Sequence, residues 1–239
     1  MNFYRLELMK IRLSSYLWAI FGIFAGLLAL GMLFLFILQI EAGESGRAEN
    51  AELFANWNGL LALTTAVAFA CFSVFSAVIA AKLIVNEYCG KNAVILLSYP
   101  IKRKAILRIK CWIVSSITVI SAFISNTLVI GIMYISAHIF GIMPQMTTKY
   151  FVFTVLCSSF FMGMLSSAVG VISAAFGWKK RSIIAAIIGS LILVCILANC
   201  ITISPSGIIW VMPIISIIFV IIASFIYHIL ANEIENMEV

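Results

Sequence analysis

The stretch YLWAIFGIFAGLLALGMLFLFILQI occupies residues 16–40 and decides what kind of protein this is. It runs for 25 residues without a charged side chain, and roughly 20 apolar residues in a helix already cross the hydrocarbon core of a bilayer. The basic residues Arg5, Lys10 and Arg12 precede it, as in a signal peptide. A signal peptide, however, has an apolar region of about 7–15 residues and then a cleavage site. We therefore interpret residues 16–40 as the first of several membrane spans.

The composition requires further spans of the same kind. The 239 residues are 64% hydrophobic and 10% charged, whereas a soluble domain averages about 45–50% apolar and about 25% charged residues. Because lipid offers no partner to a free backbone N–H or C=O, the spans are helices. Six are predicted, at about residues 16–40, 59–83, 111–138, 150–176, 182–200 and 212–231. The predicted fold class is an all-α membrane protein, one six-helix bundle over residues 1–239 with no appended globular domain.

The last connection has a different character from the others. Pro205, Gly207 and Pro213 interrupt an otherwise apolar sequence there. Irregular backbone at membrane depth is tolerated only where protein or a water-filled cavity surrounds it. The pattern predicts a short interfacial or re-entrant segment over residues 201–213.

The basic residues predict the orientation of the bundle. Thirteen of the 15 Lys and Arg residues lie in the N-terminal leader, in residues 82–110 and in a tight turn at residues 179–181. Basic residues accumulate in cytoplasmic connections, so both termini are predicted to be cytoplasmic, in the inner membrane of a bacterium. The acidic connection at residues 41–58 then faces outside. The net charge of +6 reflects this orientation, and we expect no nucleic-acid partner.

Catalytic and metal-binding motifs are absent from the sequence. There is no HExxH, GxSxG or GxGxxG pattern, and Val85 stands where a phosphate loop ending at Gly90-Lys91 would need its first glycine. The six cysteines have no CxxC spacing. We therefore expect no catalytic residue, no metal site and no cofactor bound by this chain. The spans also hold almost no ionisable residue, which disfavours a proton- or sodium-coupled carrier.

Small and polar residues concentrate in the third and fourth spans. Gly163, Ser167 and Gly170 belong to a series of small residues spaced four apart, which lets helix backbones approach closely. Ser121 and Asn126 place hydrogen-bonding groups in the third span. These five residues either pack helices together or line a polar path for a substrate.

The connection between the second and third spans is the most specific stretch of the chain. Residues 86–110 read NEYCGKNAVILLSYPIKRKAILRIK. Proline disfavours helix in the residue before it, so the sequence predicts a short helix ending near Tyr99, a kink at Pro100, and a second helix entering the membrane from about Lys102. Such an element either docks on a soluble partner or lies on anionic lipid headgroups.

This connection resembles the cytoplasmic loop of bacterial type-2 ABC exporter permeases. That loop reads as an acid, a glycine or lysine, a double leucine, a proline, an arginine and a lysine. The matching residues here are Glu87-Tyr88, Lys91, Leu96-Leu97, Tyr99-Pro100-Ile101, Arg103-Lys104 and Lys110. The leader at residues 7–12 is similar to the segment that precedes the first span in this family, and six spans in about 240 residues match its layout.

The resemblance implies a mechanism and a set of partners. Two permease subunits, identical or paralogous, pair in the lipid bilayer, and separate ABC ATPase subunits bind the ATP and magnesium. The loop after the second span is the coupling helix, and the leader is an amphipathic helix on the inner interface. The residues that would contact the ATPase are Glu87, Gly90, Val94, Leu96, Leu97, Pro100 and Arg103.

The resemblance extends to small permeases of this family that serve lantibiotic immunity or bacitracin resistance, and it implies an antimicrobial peptide as the substrate class. Lipid-linked or drug-like amphiphiles are equally compatible with it. The alternative to an exporter is a stand-alone carrier, channel or scaffold that has no ATPase partner. An adjacent gene for an ATPase with a phosphate loop would favour the exporter.

The predicted topology can be tested by labelling in intact cells. A cysteine that replaces Glu49 should react with an impermeant thiol reagent, because the connection at residues 41–58 is predicted to lie outside. A cysteine that replaces Lys104 should not react, because residues 82–110 are predicted to lie in the cytoplasm. The reverse labelling pattern would contradict the orientation.

Overall fold

The computed structural model describes residues 13–43, 57–85, 103–140, 148–202 and 208–235, and all regular structure in these ranges is helical. The helices are α1 (Leu13–Gly43), α2 (Trp57–Ala80), α3 (Arg103–Phe140), α4 (Thr148–Lys179), α5 (Ile183–Thr202) and α6 (Ile208–Glu235). A π-helical turn, Ala81–Val85, continues α2 and is called the π segment below.

Within the described ranges six helices are long and apolar enough to cross a membrane, the number predicted. The apolar spans are Ser14–Ile37, Gly59–Val85, Ile106–Phe140, Phe151–Lys179, Ile183–Ile201 and Met212–Glu233. The third departs most from prediction, because α3 has 38 residues and begins at Arg103. At 1.5 Å per residue such a helix is about 57 Å long, nearly twice the hydrocarbon thickness of a bilayer. One or both ends of α3 therefore project beyond the hydrocarbon.

Most of residues 201–213, where an interfacial or re-entrant segment is predicted, is helical, and the last apolar span begins at Met212, as predicted. Helix α5 continues to Thr202 and α6 already begins at Ile208, so Pro213 lies inside α6. Proline removes one backbone N–H donor from a helix. Here the missing donor is in the second turn of α6. The Ser216 hydroxyl donates to the Pro213 carbonyl at 2.8 Å. Residues 203–207 lie outside the described part of the chain.

Helices α2 and α4 form the centre of the bundle. In an 18-residue apolar stretch of each, 67% of the residues are buried, against 17% in α1 and 22% in α5 and α6. Helix α3 packs on α1, α2, α4 and α6, and α5 packs mainly on α2 and α4. The outer helices therefore surround the α2–α4 pair and present large apolar side chains outward.

Small residues let the central helices approach closely. A Cβ atom added at Gly170 in α4 would overlap the Ser76 hydroxyl of α2 and lie 2.7 Å from its Cβ. A Cβ added at Gly163 would lie 3.2 Å from the Val119 carbonyl oxygen in α3. Because helix association in lipid depends on close packing and interhelical hydrogen bonds, these glycines set the spacing of α4 from both neighbours.

The turn between α4 and α5 is closed by backbone hydrogen bonds. The Ser182 amide donates to the Gly177 carbonyl and the Arg181 amide to the Trp178 carbonyl, each at 3.0 Å. This is the pairing of a Schellman C-cap. Arg181 has a φ of 49°, a left-handed conformation that glycine adopts at lower cost. The turn keeps α4 and α5 antiparallel, so that the end of α4 and the start of α5 lie at the same side of the bundle.

Candidate functional site

The segment that resembles a coupling helix lies largely outside the described residues. Glu87, Gly90, Val94, Leu96, Leu97 and Pro100 belong to residues 86–102, and Arg103 is the first residue of α3. The leader at residues 1–12 is also outside them. The candidate site consists of the two elements that flank residues 86–102 in the sequence, which are the π segment before them and the start of α3 after them.

The π segment is an unusual way to finish a membrane span. Four of its five side chains are buried, and only Lys82 is exposed. A π turn bonds each carbonyl to the amide five residues on, so it is wider than an α turn, and such turns occur frequently at functional sites. The span therefore reaches the connection through a buried stretch with irregular backbone geometry.

Lys110 is the polar contact that fixes this stretch to α3. Its side chain is fully buried, at 0% exposure, and its ammonium donates to the Leu83 carbonyl oxygen at 3.1 Å. Carbonyls at the C-terminal end of a helix carry partial negative charge, which favours a cation there. A buried ammonium is otherwise costly, so this contact holds α2 and α3 in one relative position.

Sequence reasoning missed the burial of Lys110, because the predicted third span began one residue later. The apolar residues spaced along α3 around Lys110 are the sequence feature that indicates its burial. Leu107 lies three residues before it and Val114 four residues after it, and both are fully buried. Residues with these spacings share one face of a helix. A lysine in line with two apolar residues on a membrane helix therefore indicates a buried amine.

Three further helices meet the π segment. The Lys82 ammonium lies 5.7 Å from the centre of the Tyr16 ring in α1, a cation–π distance. Ala81 and Val85 form a small buried cluster with Ala186 of α5. We call the set Tyr16, Ala81–Val85, Lys110, Gly177 and Ala186 the basal junction. It joins the same-side ends of α1, α3, α4 and α5 to the end of the second span.

Gly177 makes room for the basal junction in α4. An added Cβ would lie 2.7 Å from the Ala186 Cβ and 3.1 Å from a Val85 methyl carbon. The α4–α5 turn therefore rests directly on the π segment, and a larger residue would push it away.

The basal junction lies at the basic end of the bundle. Six basic side chains surround it, of which Lys104 is half-buried and the others are exposed: Lys82, Lys104, Arg108, Lys179, Lys180 and Arg181. Among described side chains at this end, the only carboxylate is that of Glu233, near the end of α6. The described surface at this end of the bundle is therefore strongly positive.

The residues predicted to pack helices or line a path lie in the bundle interior. Asn126 is fully buried and its amide donates to the Ser159 hydroxyl at 2.8 Å, which joins α3 to α4. Ser121 and Ser167 are buried and donate to carbonyls of their own helices, those of Thr118 and Met164. Gly163 and Gly170 face α3 and α2 as described above. Of the five predicted residues, only Ser167 lines the groove of about 640 Å³ between α3, α4 and α6.

The described residues hold no group of three or more His, Cys, Asp or Glu side chains that could bind a metal ion. Several interior polar atoms also have no hydrogen-bond partner within the described part of the chain: the hydroxyls of Ser73, Ser76 and Thr127 and the Asn126 Oδ1. An unpaired buried group costs about 1–3 kcal/mol. The interior of the described bundle is thus polar in places.

Comparison with known proteins gives one distant relative. The chain is 24% identical, over 199 residues, to a protein of Bacillus subtilis (strain 168) named Uncharacterized protein YcbO. The match covers 83% of this chain and 84% of that protein. No family model matches the chain, and no solved structure matches it significantly. The relative has a similar length, and its name assigns no activity.

The contact between Lys110 and Leu83 gives a prediction about stability. Replacing Lys110 with Glu puts a buried carboxylate against a carbonyl oxygen, and should lower the free energy of unfolding by at least about 2 kcal/mol. Lys180→Glu is the matched control, because it makes the same change in charge at an exposed position of the same end. Thermal unfolding in detergent measures both variants. Equal melting temperatures for the two would contradict the anchoring role of Lys110.

Proposed function

We propose that this chain is the transmembrane subunit of an ATP-driven exporter of the ABC type, energised by a separate ATPase that docks on residues 86–102. The single observation that carries the proposal is the basal junction. The segment that resembles a coupling helix begins directly after the buried π segment in the sequence and ends eight residues before the buried Lys110. A force applied to that segment would act on both elements at once.

The contacts of the basal junction support transmission of motion. The Lys110–Leu83 hydrogen bond links α3 to the π segment, and the cluster of Ala81, Val85 and Ala186 links it to α5. Packed interfaces shift between discrete arrangements more readily than they deform continuously. A displacement of residues 86–102 would therefore move several helix ends together. A π turn can rearrange by a change of hydrogen-bond register, which gives such a movement a place to start.

The exposed faces of the outer helices support pairing with a second permease subunit, identical or paralogous. Trp18 and Phe21 of α1 and Ile184 of α5 are each more than half exposed. Helices α1 and α5 both pack on α2 but have at most a slight contact with each other. A second subunit could cover this side of α2, while lipid covers the remaining apolar surface.

The proposed substrate is an amphiphile, with antimicrobial peptides of the lantibiotic or bacitracin kind as the first class to test. The apolar character of the bundle supports a substrate that partitions into the membrane. The stand-alone carrier is less well supported, because no Asp or Glu lies within the five spans from Ser14–Ile37 to Ile183–Ile201. Intramembrane acids are the usual relays of ion-coupled transport.

The proposal is tested by purifying the tagged chain from its native host. We expect an ATP-binding subunit to elute with it, together with vanadate-sensitive ATP hydrolysis. Leu97→Asp should reduce the eluted ATPase at least about tenfold, because an unpaired carboxylate in an apolar docking groove costs more than about 1.4 kcal/mol. Glu87→Gln should reduce ATP hydrolysis in the same preparation.

Leu53→Asp and Glu49→Gln are the matched controls, since they make the same substitutions in the connection predicted to lie outside. All four variants should appear in the membrane fraction in wild-type amounts. The exporter proposal fails if the wild-type chain elutes without an ATP-binding subunit, or if the loop variants retain both the ATPase and its activity.

A further inference from the structure

A groove of about 640 Å³ lies between α3, α4 and α6. It faces the outside of the bundle, since Trp112 and Ile120 in its lining are each more than half exposed. We call it the lateral groove. Small side chains on all three helices create the concave surface, because larger ones would fill the space between the helices. The small residues are Ser115, Ser116, Ser167, Ala168, Ala223 and Ser224.

The lateral groove has the length of one lipid leaflet. Its lining on α3 runs from Arg108 to Ile120, which is about 18 Å at 1.5 Å per residue. Half of a bilayer's hydrocarbon core is about 15 Å thick. On α4 and α6 the lining runs from Met164 to Val171 and from Val220 to Tyr227, about 10 Å on each helix. The groove could therefore hold a single acyl chain from the headgroup level to the middle of the membrane.

Basic and aromatic side chains lie together at the basic end of the groove. Arg108 is exposed there and is the one charged residue among the described side chains of the lining. Lys104 lies one turn before it on the same face of α3 and is half-exposed. Trp112 is 66% exposed beside Arg108, and Tyr227 lines the groove from α6. Tryptophan and tyrosine concentrate at the headgroup level of membranes.

We infer that the lateral groove binds an anionic phospholipid, with its phosphate at Arg108 and one acyl chain along the small residues of α3, α4 and α6. This phospholipid belongs to the leaflet on the basic side of the bundle, which the positive-inside rule assigns to the cytoplasm. The planar guanidinium forms paired hydrogen bonds with phosphate oxygens, and basic pockets between membrane helices are known seats for acidic headgroups. This site goes beyond the proposed function, since it needs no ATPase.

Charge argues against the other occupants of the groove. A cationic peptide would bring positive charge to Arg108 and Lys104. A second copy of this chain would face Arg108 with another surface of the same strongly basic end. A zwitterionic lipid would fit the groove but offer Arg108 a headgroup without net charge. An anionic phospholipid complements both the apolar wall and the cation.

The test uses native mass spectrometry of the purified full-length protein with added phosphatidylglycerol or phosphatidylcholine. Wild-type protein should retain about fivefold more phosphatidylglycerol, since one basic residue near the headgroup is worth about 1 kcal/mol. Arg108→Gln should abolish that preference. Ser224→Phe, an exposed position on the groove wall, should reduce retention of both lipids several-fold.

Matched controls separate the groove from the general surface. Arg181→Gln removes the same charge from the α4–α5 turn, and Gly26→Phe adds the same ring to α1 where an added Cβ meets nothing within 4 Å. Both should retain lipid as the wild type does. The inference is overturned if Arg108→Gln and Arg181→Gln reduce the preference equally, if Ser224→Phe retains lipid normally, or if a photo-crosslinker at Trp112 captures a second copy of the chain.

Discussion

The buried ammonium of Lys110 is the constraint on which the rest of the candidate site depends. A cation without water must meet an acceptor, and Lys110 meets the Leu83 carbonyl at 3.1 Å. That contact fixes the end of the second span against the start of the third. These two elements, the π segment and the start of α3, flank residues 86–102 in the sequence.

Small residues hold the helices together in the apolar interior. Lipid gives helices little hydrophobic reason to associate, so close packing and interhelical hydrogen bonds must hold them. Gly170 brings α4 onto α2, Gly177 brings the α4–α5 turn onto the π segment, and Asn126 joins α3 to Ser159 of α4. On the outside, small residues of α3, α4 and α6 leave the lateral groove open. The same residue types therefore close the bundle in one place and open it in another.

The sequence predicted the membrane spans well, because an apolar run of sufficient length has few alternatives to a helix in lipid. The start of the third helix near Lys102 also followed from Pro100, and α3 begins at Arg103. Helix α6 begins at Ile208, before Pro213, which the irregular pattern of the last connection did not predict. Proline is tolerated inside membrane helices because neighbouring groups satisfy the freed backbone. The π segment and the lateral groove could not be predicted. They depend on which helices become neighbours, and neither apolar periodicity nor residue spacing determines that arrangement.

Photo-crosslinking in the native host tests the central claim most directly, which is that an ATPase acts on residues 86–102. A crosslinking amino acid replaces Leu97 in the living cell, and mass spectrometry identifies the protein attached to it. Our account predicts a soluble protein with the phosphate-loop sequence GxxxxGK followed by Ser or Thr. Attachment to lipid alone, or to proteins without that sequence, would contradict it.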